Sequence, residues 1–193
     1  MRVALCLLSA FALALLLAGC GSGGADRPVP RRVAYPRVEA YDSVYVGVPQ
    51  SVRVNVEVNA SAEVSVPRDS GGIVWIDVRY PRYNAVLHLT LGEASGEALG
   101  RMARNREERF ARDTEGMRVS VTEVGNGFAD VRIGRGRGLT VTPLHLMATD
   151  GATFFLSGAL ELNGTPSSVE ETLPVVDAVY DDLVHLGRTL RRL

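Results

Sequence analysis

The chain of 193 residues contains no lysine: its 21 basic residues are all arginine, set against 22 acidic ones for a net charge of −1. That balance argues against a general nucleic-acid or polyanion binder, which would carry a marked basic excess. Using arginine throughout fits a GC-rich genome better than a functional demand. Cysteine is almost as scarce, present only as Cys6 and Cys20. Histidine is confined to His88, His145 and His185, with no second histidine at metal-ligand spacing, so a zinc site is not expected. A Gly-x-Ser-x-Gly elbow, a His-Glu-x-x-His helix and the Gly-Lys-Ser/Thr ending of a nucleotide phosphate loop are all missing. The expectation is a protein without catalytic residues, cofactor or metal.

What is present begins at the N-terminus. Arg2, the apolar run Val3 to Leu17 and the small residues Ala18 and Gly19 before Cys20 form a secretory leader, too short in its apolar part to span a bilayer. Leu17-Ala18-Gly19-Cys20 reads as a lipobox, which makes residues 1–19 a lipoprotein signal peptide and Cys20 the lipidated residue. Two or more acyl chains give stable membrane attachment, since each buried methylene contributes about 0.8 kcal/mol. With Cys6 lost in the leader, no disulfide can form within the mature chain, so its fold rests on core burial. Gly21 to Arg32, rich in glycine, serine and proline, is a tether, and residues 33–193 are expected to form a single domain. No acidic residue follows Cys20 until Asp26. By analogy with lipoprotein sorting, this points to the periplasmic face of the outer membrane.

From Val44 to Val66 valine returns on even positions, the period of strands buried on one face. Pro67 to Gly72 reads as a loop. Ile73 to Tyr80 and Asn84 to Leu91 are strand-like on either side of Tyr80-Pro81-Arg82-Tyr83, where proline forces a bend. Between Glu93 and Arg112, Leu99, Met102, Ala103 and Phe110 form one helical stripe, and Gly116 ends the helix. Three further strands are expected at Met117 to Val124, Phe128 to Ile133 and Leu139 to Ala148, and a central one at Ala152 to Leu162. The stripe Val169, Leu173, Val176, Tyr180, Leu183 and Leu190 marks a second helix, capped at Ser168 and broken or kinked at Pro174. The class is α+β, a mainly antiparallel sheet flanked by two amphipathic helices.

Several of these segments resemble a known family. The run from Trp75 to Leu89, containing Tyr80-Pro81-Arg82-Tyr83-Asn84-Ala85 and then His88, is similar to the core motif of the GldD-type gliding motility lipoproteins of Bacteroidota. Thr142-Pro143-Leu144 before Thr149-Asp150, Leu156-Ser157-Gly158-Ala159-Leu160 and Pro174-Val175-Val176-Asp177 resemble the same family in order and spacing. The resemblance runs from about Tyr35 to Leu193 and includes the lipobox. It implies a lipid-anchored accessory or assembly factor whose partners are the membrane and other proteins of the gliding and type IX secretion machinery. The order of elements is also similar to the PsbP/Mog1-like α/β sandwiches, which are mostly binding modules.

The candidate sites follow. Tyr80, Arg82, Tyr83 and Asn84 gather two amphipathic aromatics, a guanidinium and an amide at a strand bend, the side chains most used as interface anchors; the alternative is that the tyrosines roof the core and Asn84 satisfies a bend carbonyl. His88, on the polar face of its strand, is either a ligand or proton shuttle or a hydrogen-bonded structural residue. Arg132, Arg135 and Arg137 bring cations to a flexible glycine-arginine loop that could hold phosphate or lipid head groups, unless it is simply a solvated hairpin tip. The arginines at 101, 104, 106, 109 and 112 are interleaved with acids and read as a salt-bridged outer helix face. The rival to a protein-binding adaptor is a periplasmic lipoprotein for a small glycan or lipid ligand, which would show a deep apolar pocket enclosing His88 and Tyr83.

Overall fold

The computed structural model describes residues 38–193; the leader, the lipobox with Cys20 and the tether lie outside the described residues. The alternating valines form short strands, β1 (Tyr45–Gly47), β2 (Val54–Asn55) and β3 (Glu57–Asn59). Val52, Val54, Val56 and Val58 are buried, while Val44, Val46 and Val64 from the same run stay exposed.

Seven longer strands carry the architecture: β4 (Glu63–Ser70), β5 (Ile73–Tyr80), β6 (Ala85–Glu93), β7 (Arg118–Glu123), β8 (Asp130–Arg137), β9 (Leu144–Thr149) and β10 (Phe154–Leu162). They form one sheet in the order β4-β5-β6-β10-β9-β8-β7, antiparallel throughout. β10, the most continuously apolar, is central as expected. Helix α1 (Gly96–Asp113) follows β6, helix α2 (Val169–Thr189) follows β10, and a final strand β11 (Arg191–Arg192) pairs with β2. The α+β expectation of a mainly antiparallel sheet with two helices holds.

Period two sends alternate side chains to opposite faces of this sheet. One face carries Val74, Ile76, Val78, Leu87, Leu89, Leu144, Leu146, Leu156 and Leu160, all buried together with Val176, Val179, Leu183 and Leu186 of α2. A polar clamp fastens α2 to the N-terminal strands: the His185 ring stacks on Tyr45 at 3.5 Å, its Nε2 lies 3.0 Å from Glu57 Oε2, and Tyr45 donates to Asp182 at 2.9 Å. The bond to His185 holds the Glu57 carboxyl below its usual range, and burial, followed by the Asp182 carboxylate, pushes Tyr45 up to about 12.

Three local expectations are corrected. Pro67 lies within β4, where the register shifts between Ser65 and Arg68; an edge strand with a bulge tolerates the missing amide. α2 runs unbroken through Pro174, close enough to the N-terminus that little of the helical ladder is lost, with Ser168 Oγ accepting from the Glu171 amide at 3.2 Å. The glycine-arginine run is not a loop, because Gly134 to Arg137 belong to β8. A Cβ on Gly134 would sit 2.5 Å from Phe110 Cζ, and one on Gly136 2.8 Å from Thr114 Cγ2. The glycines are there so that the end of α1 and its following turn can lie directly on the strand.

Candidate functional site

The sheet registers align one row across all seven strands: Ser65, Asp77, His88, Ala159, His145, Gly134 and Val121 are successive neighbours. This row lies on the face opposite α2. Helix α1 packs on β9 and β10 and lays Phe110 on Gly134 of β8, covering one half of the row. The other half, on β4, β5 and β6, carries polar and aromatic side chains at the surface.

Trp75 is the centre of that open half. It lies on β5 opposite Thr90, is 45% exposed, and carries the Arg68 guanidinium 5.1 Å from its ring centroid. Beside it, the His88 side chain is 48% exposed and held between two carboxylates, with Nδ1 2.8 Å from Asp77 Oδ1 and Nε2 3.5 Å from Glu161 Oε2. Tryptophan and arginine on a surface built by rigid strands are the chemistry of a protein contact. Among the described residues no group of three or more His, Cys, Asp or Glu side chains is placed to hold a metal ion.

Of the five residues expected to make a recognition surface, Arg82, Tyr83 and Asn84 line one shallow cavity and Tyr80 stacks on Tyr83, whereas His88 stands apart on the other face of the sheet. Tyr80 and Tyr83 are buried against Tyr41, whose ring lies 5.8 Å and 4.9 Å from theirs. The Tyr83 hydroxyl donates to the Glu39 carbonyl at 3.2 Å and accepts from the Tyr41 amide at 3.1 Å. Burial pushes the Tyr80 phenol well above its ordinary range. Asn84, left-handed at φ 48, donates to the Asn163 carbonyl at 2.8 Å. Arg82 and Asn84 are exposed, the Arg82 guanidinium 5.0 Å from the Tyr41 ring, and His88 is exposed on the other face of the sheet. Of the two readings open for the tyrosines, interface anchors or a roof over the core, their packing is that of a roof, and the ring that completes it, Tyr41, is remote in sequence. Among the described residues, the cavity at Tyr83 is lined by Arg82, Asn84, Leu162, Pro166 and Val175 and does not include His88.

The three arginines of the expected anion loop are likewise separated. Arg135 turns toward α2, where it pairs with Asp177 Oδ1 at 2.5 Å and lies 6.0 Å from the Tyr180 ring. Arg132 faces α1 and pairs with Glu107 at 3.2 Å, while Arg137 is exposed. On α1 the expected surface pairing is seen between Glu97 and Arg101 at 3.5 Å. Arg106 departs from the outer face: it is drawn beneath the helix and donates through Nη2 to the Gly158 carbonyl.

Two residues were missed by sequence reasoning although signals existed. Trp75 alternates outward against Val74, Ile76 and Val78. Arg106 falls on the helical stripe between Met102 and Phe110, one turn from each, so its inward position was readable from the spacing.

Over residues 25–191 the chain matches the sequence model of the family described as gliding motility lipoprotein GldD, and it belongs to that family. No curated protein matches it. Membership associates the chain with the cell envelope and with an accessory role in motility. Among the described residues no helix is long and apolar enough to cross a membrane.

Proposed function

We propose that this member of the GldD gliding motility lipoprotein family is a non-enzymatic assembly factor of the gliding and type IX secretion machinery. In this reading Cys20 carries the lipid, the periplasmic face of the outer membrane is its site, and a protein partner docks on the open half of the sheet. The observation that carries it is the exposed Trp75 with Arg68 stacked on it, beside His88, Asp77 and Glu161. A half-exposed tryptophan with an arginine stacked on it, held by a well-ordered sheet, is the pairing most enriched where interfaces carry their binding energy. The lining charges, two carboxylates and a histidine around an apolar centre, give the patch a polar rim of the kind interfaces use.

The test is in-cell crosslinking followed by mass spectrometry, comparing the native chain with Trp75→Ala. Loss of one or more crosslinked machinery proteins from the variant, at equal abundance, is the expected result; an unchanged partner set overturns the docking surface. Cys20→Ala should move the chain from the membrane to the soluble periplasmic fraction, and continued sedimentation with membranes would refute the anchor.

A further inference from the structure

We propose that the cavity beneath α1, on the covered half of the same sheet face, is a binding site for a small carboxylic acid with a short apolar tail. The cavity measures about 160 Å³ and is lined by the side chains of Phe110, Val121 and Met147, with Arg106, His145 and the Arg132–Glu107 ion pair in its wall.

Two of its four polar wall residues, Arg106 and His145, are each left one bond short. Arg106 spends Nη2 on the Gly158 carbonyl, but its buried Nε–H has no partner. The arginine ion pairs among the described residues are made by Arg101, Arg132, Arg135 and Arg191, and none by Arg106. Burial draws its pKa down to about 10, which leaves it charged at neutral pH. His145 is only 3% exposed, and its Nε2 lies 3.1 Å from the Thr142 carbonyl. A carbonyl can only accept, so the ring proton sits on Nε2 and Nδ1 is a bare lone pair, buried without a donor. The charged groups facing His145 come from α1: Arg106 and Arg109, and Asp113 with Oδ2 3.8 Å from Nε2. Burial first, and then the Arg106 charge, push the histidine down to about 4.

A buried cation with a free N–H, next to a neutral imidazole with a free lone pair, is complementary to a carboxyl group. One carboxyl oxygen accepts from Arg106 Nε–H, and the shared proton bridges the other oxygen and His145 Nδ1. Neutralising Arg106 removes a charge that suppresses protonation of the histidine, so the acid binds together with a proton. An alkyl tail then fills the space against Phe110, Val121 and Met147. A phosphate does not match, because the second guanidinium in the wall, Arg132, is already paired with Glu107, and that carboxylate repels a dianion while the apolar lining leaves its remaining oxygens without partners.

The test is an NMR titration of the full chain, imidazole nitrogens labelled, with hexanoate, and with hexan-1-ol and hexylamine as separate arms. Hexanoate is expected to shift the His145 Nδ1 resonance toward its protonated position and to bind more weakly as pH rises above neutrality. Arg106→Gln should weaken hexanoate at least tenfold, and Met147→Trp, which keeps both polar groups but fills the cavity, should abolish binding. An unmoved His145 resonance in the native chain overturns the proposal, as does equal binding of hexan-1-ol or hexylamine. Equal affinity for Arg106→Gln and the native chain would also refute it. Because the readout is a ligand under α1 and not a partner on Trp75, its failure leaves the docking surface standing, and the converse.

Discussion

The two faces of the seven-stranded sheet are made by the same strands from alternate residues, yet they are finished differently. Toward α2, Ile76, Leu87, Leu160 and Ile133 are sealed in an unbroken apolar layer. Toward α1, the row through Asp77, His88, His145 and Gly134 is polar, half covered, and contains the orphaned Arg106 Nε and His145 Nδ1. Burial without polar atoms maximises stability, whereas unpaired buried groups and an exposed tryptophan both cost free energy. Arg135 Nε is the one such atom turned toward α2; a fold that gathers the other two and the exposed tryptophan on the opposite face has largely separated the work of standing up from the work of making contacts.

The sharpest way to break this comparison is to cut into each face in turn. Ile76→Ala, on the sealed face, should cost about 2–5 kcal/mol in urea unfolding, through lost burial and the cavity left behind. Gly134→Ala, which drives a methyl into the Phe110 ring, should cost about 1–3 kcal/mol by overpacking. A comparable loss of about 1–3 kcal/mol is expected for Asp150→Ala, since Asp150 accepts from the Ala152, Thr153 and Phe154 amides at the β9–β10 turn. Burial opposes ionisation of Asp150, but the bonds from Thr153, Ala152 and Phe154 win and hold it at about 2. Its contribution is therefore present above the ordinary value of 3.8 and fades as pH falls toward about 2.

Smaller effects sharpen the contrast. His145 stays neutral in the fold to about 4 against an ordinary 6.5, so the unfolded chain takes up the proton first. Stability should decline as pH falls from 6.5 toward 4, and urea midpoints of His145→Leu across that range should show a flatter profile. Least of all, Trp75→Ala on the open face should change stability by no more than about 0.5 kcal/mol. A cost approaching that of Ile76→Ala would show that both faces serve the core alike.

Much of this asymmetry was legible in the sequence. Val74, Ile76 and Val78 alternating with Trp75, Asp77 and Arg79 announced a strand with one sealed face, and the Leu87-His88-Leu89 rhythm did the same for its neighbour. The segments that were misread owe their conformation to remote residues. Gly134 to Gly138 looked like a flexible loop because the reason for the glycines, the closeness of Phe110, Thr114 and Met117, belongs to another part of the chain. Tyr80 and Tyr83 fitted an interface and a roof over the core equally well by local rule, because Tyr41, which buries them, is remote in sequence. Pro67 and Pro174 marked breaks by local rule, but an edge bulge and the first turns of a helix accommodate them. Cys20 and its leader lie outside the described residues, so the anchor rests on the sequence alone.

The central claim, that the open half of the sheet is the contact surface, is tested most directly by placing a photo-crosslinking residue at position 90, across from Trp75, and a second at position 188 on α2, in otherwise native cells. The account expects a discrete crosslinked protein from position 90 that is lost on adding Trp75→Ala, and none of that identity from position 188. Equal yields of the same adduct from both positions, or an adduct from position 90 indifferent to Trp75, would contradict it.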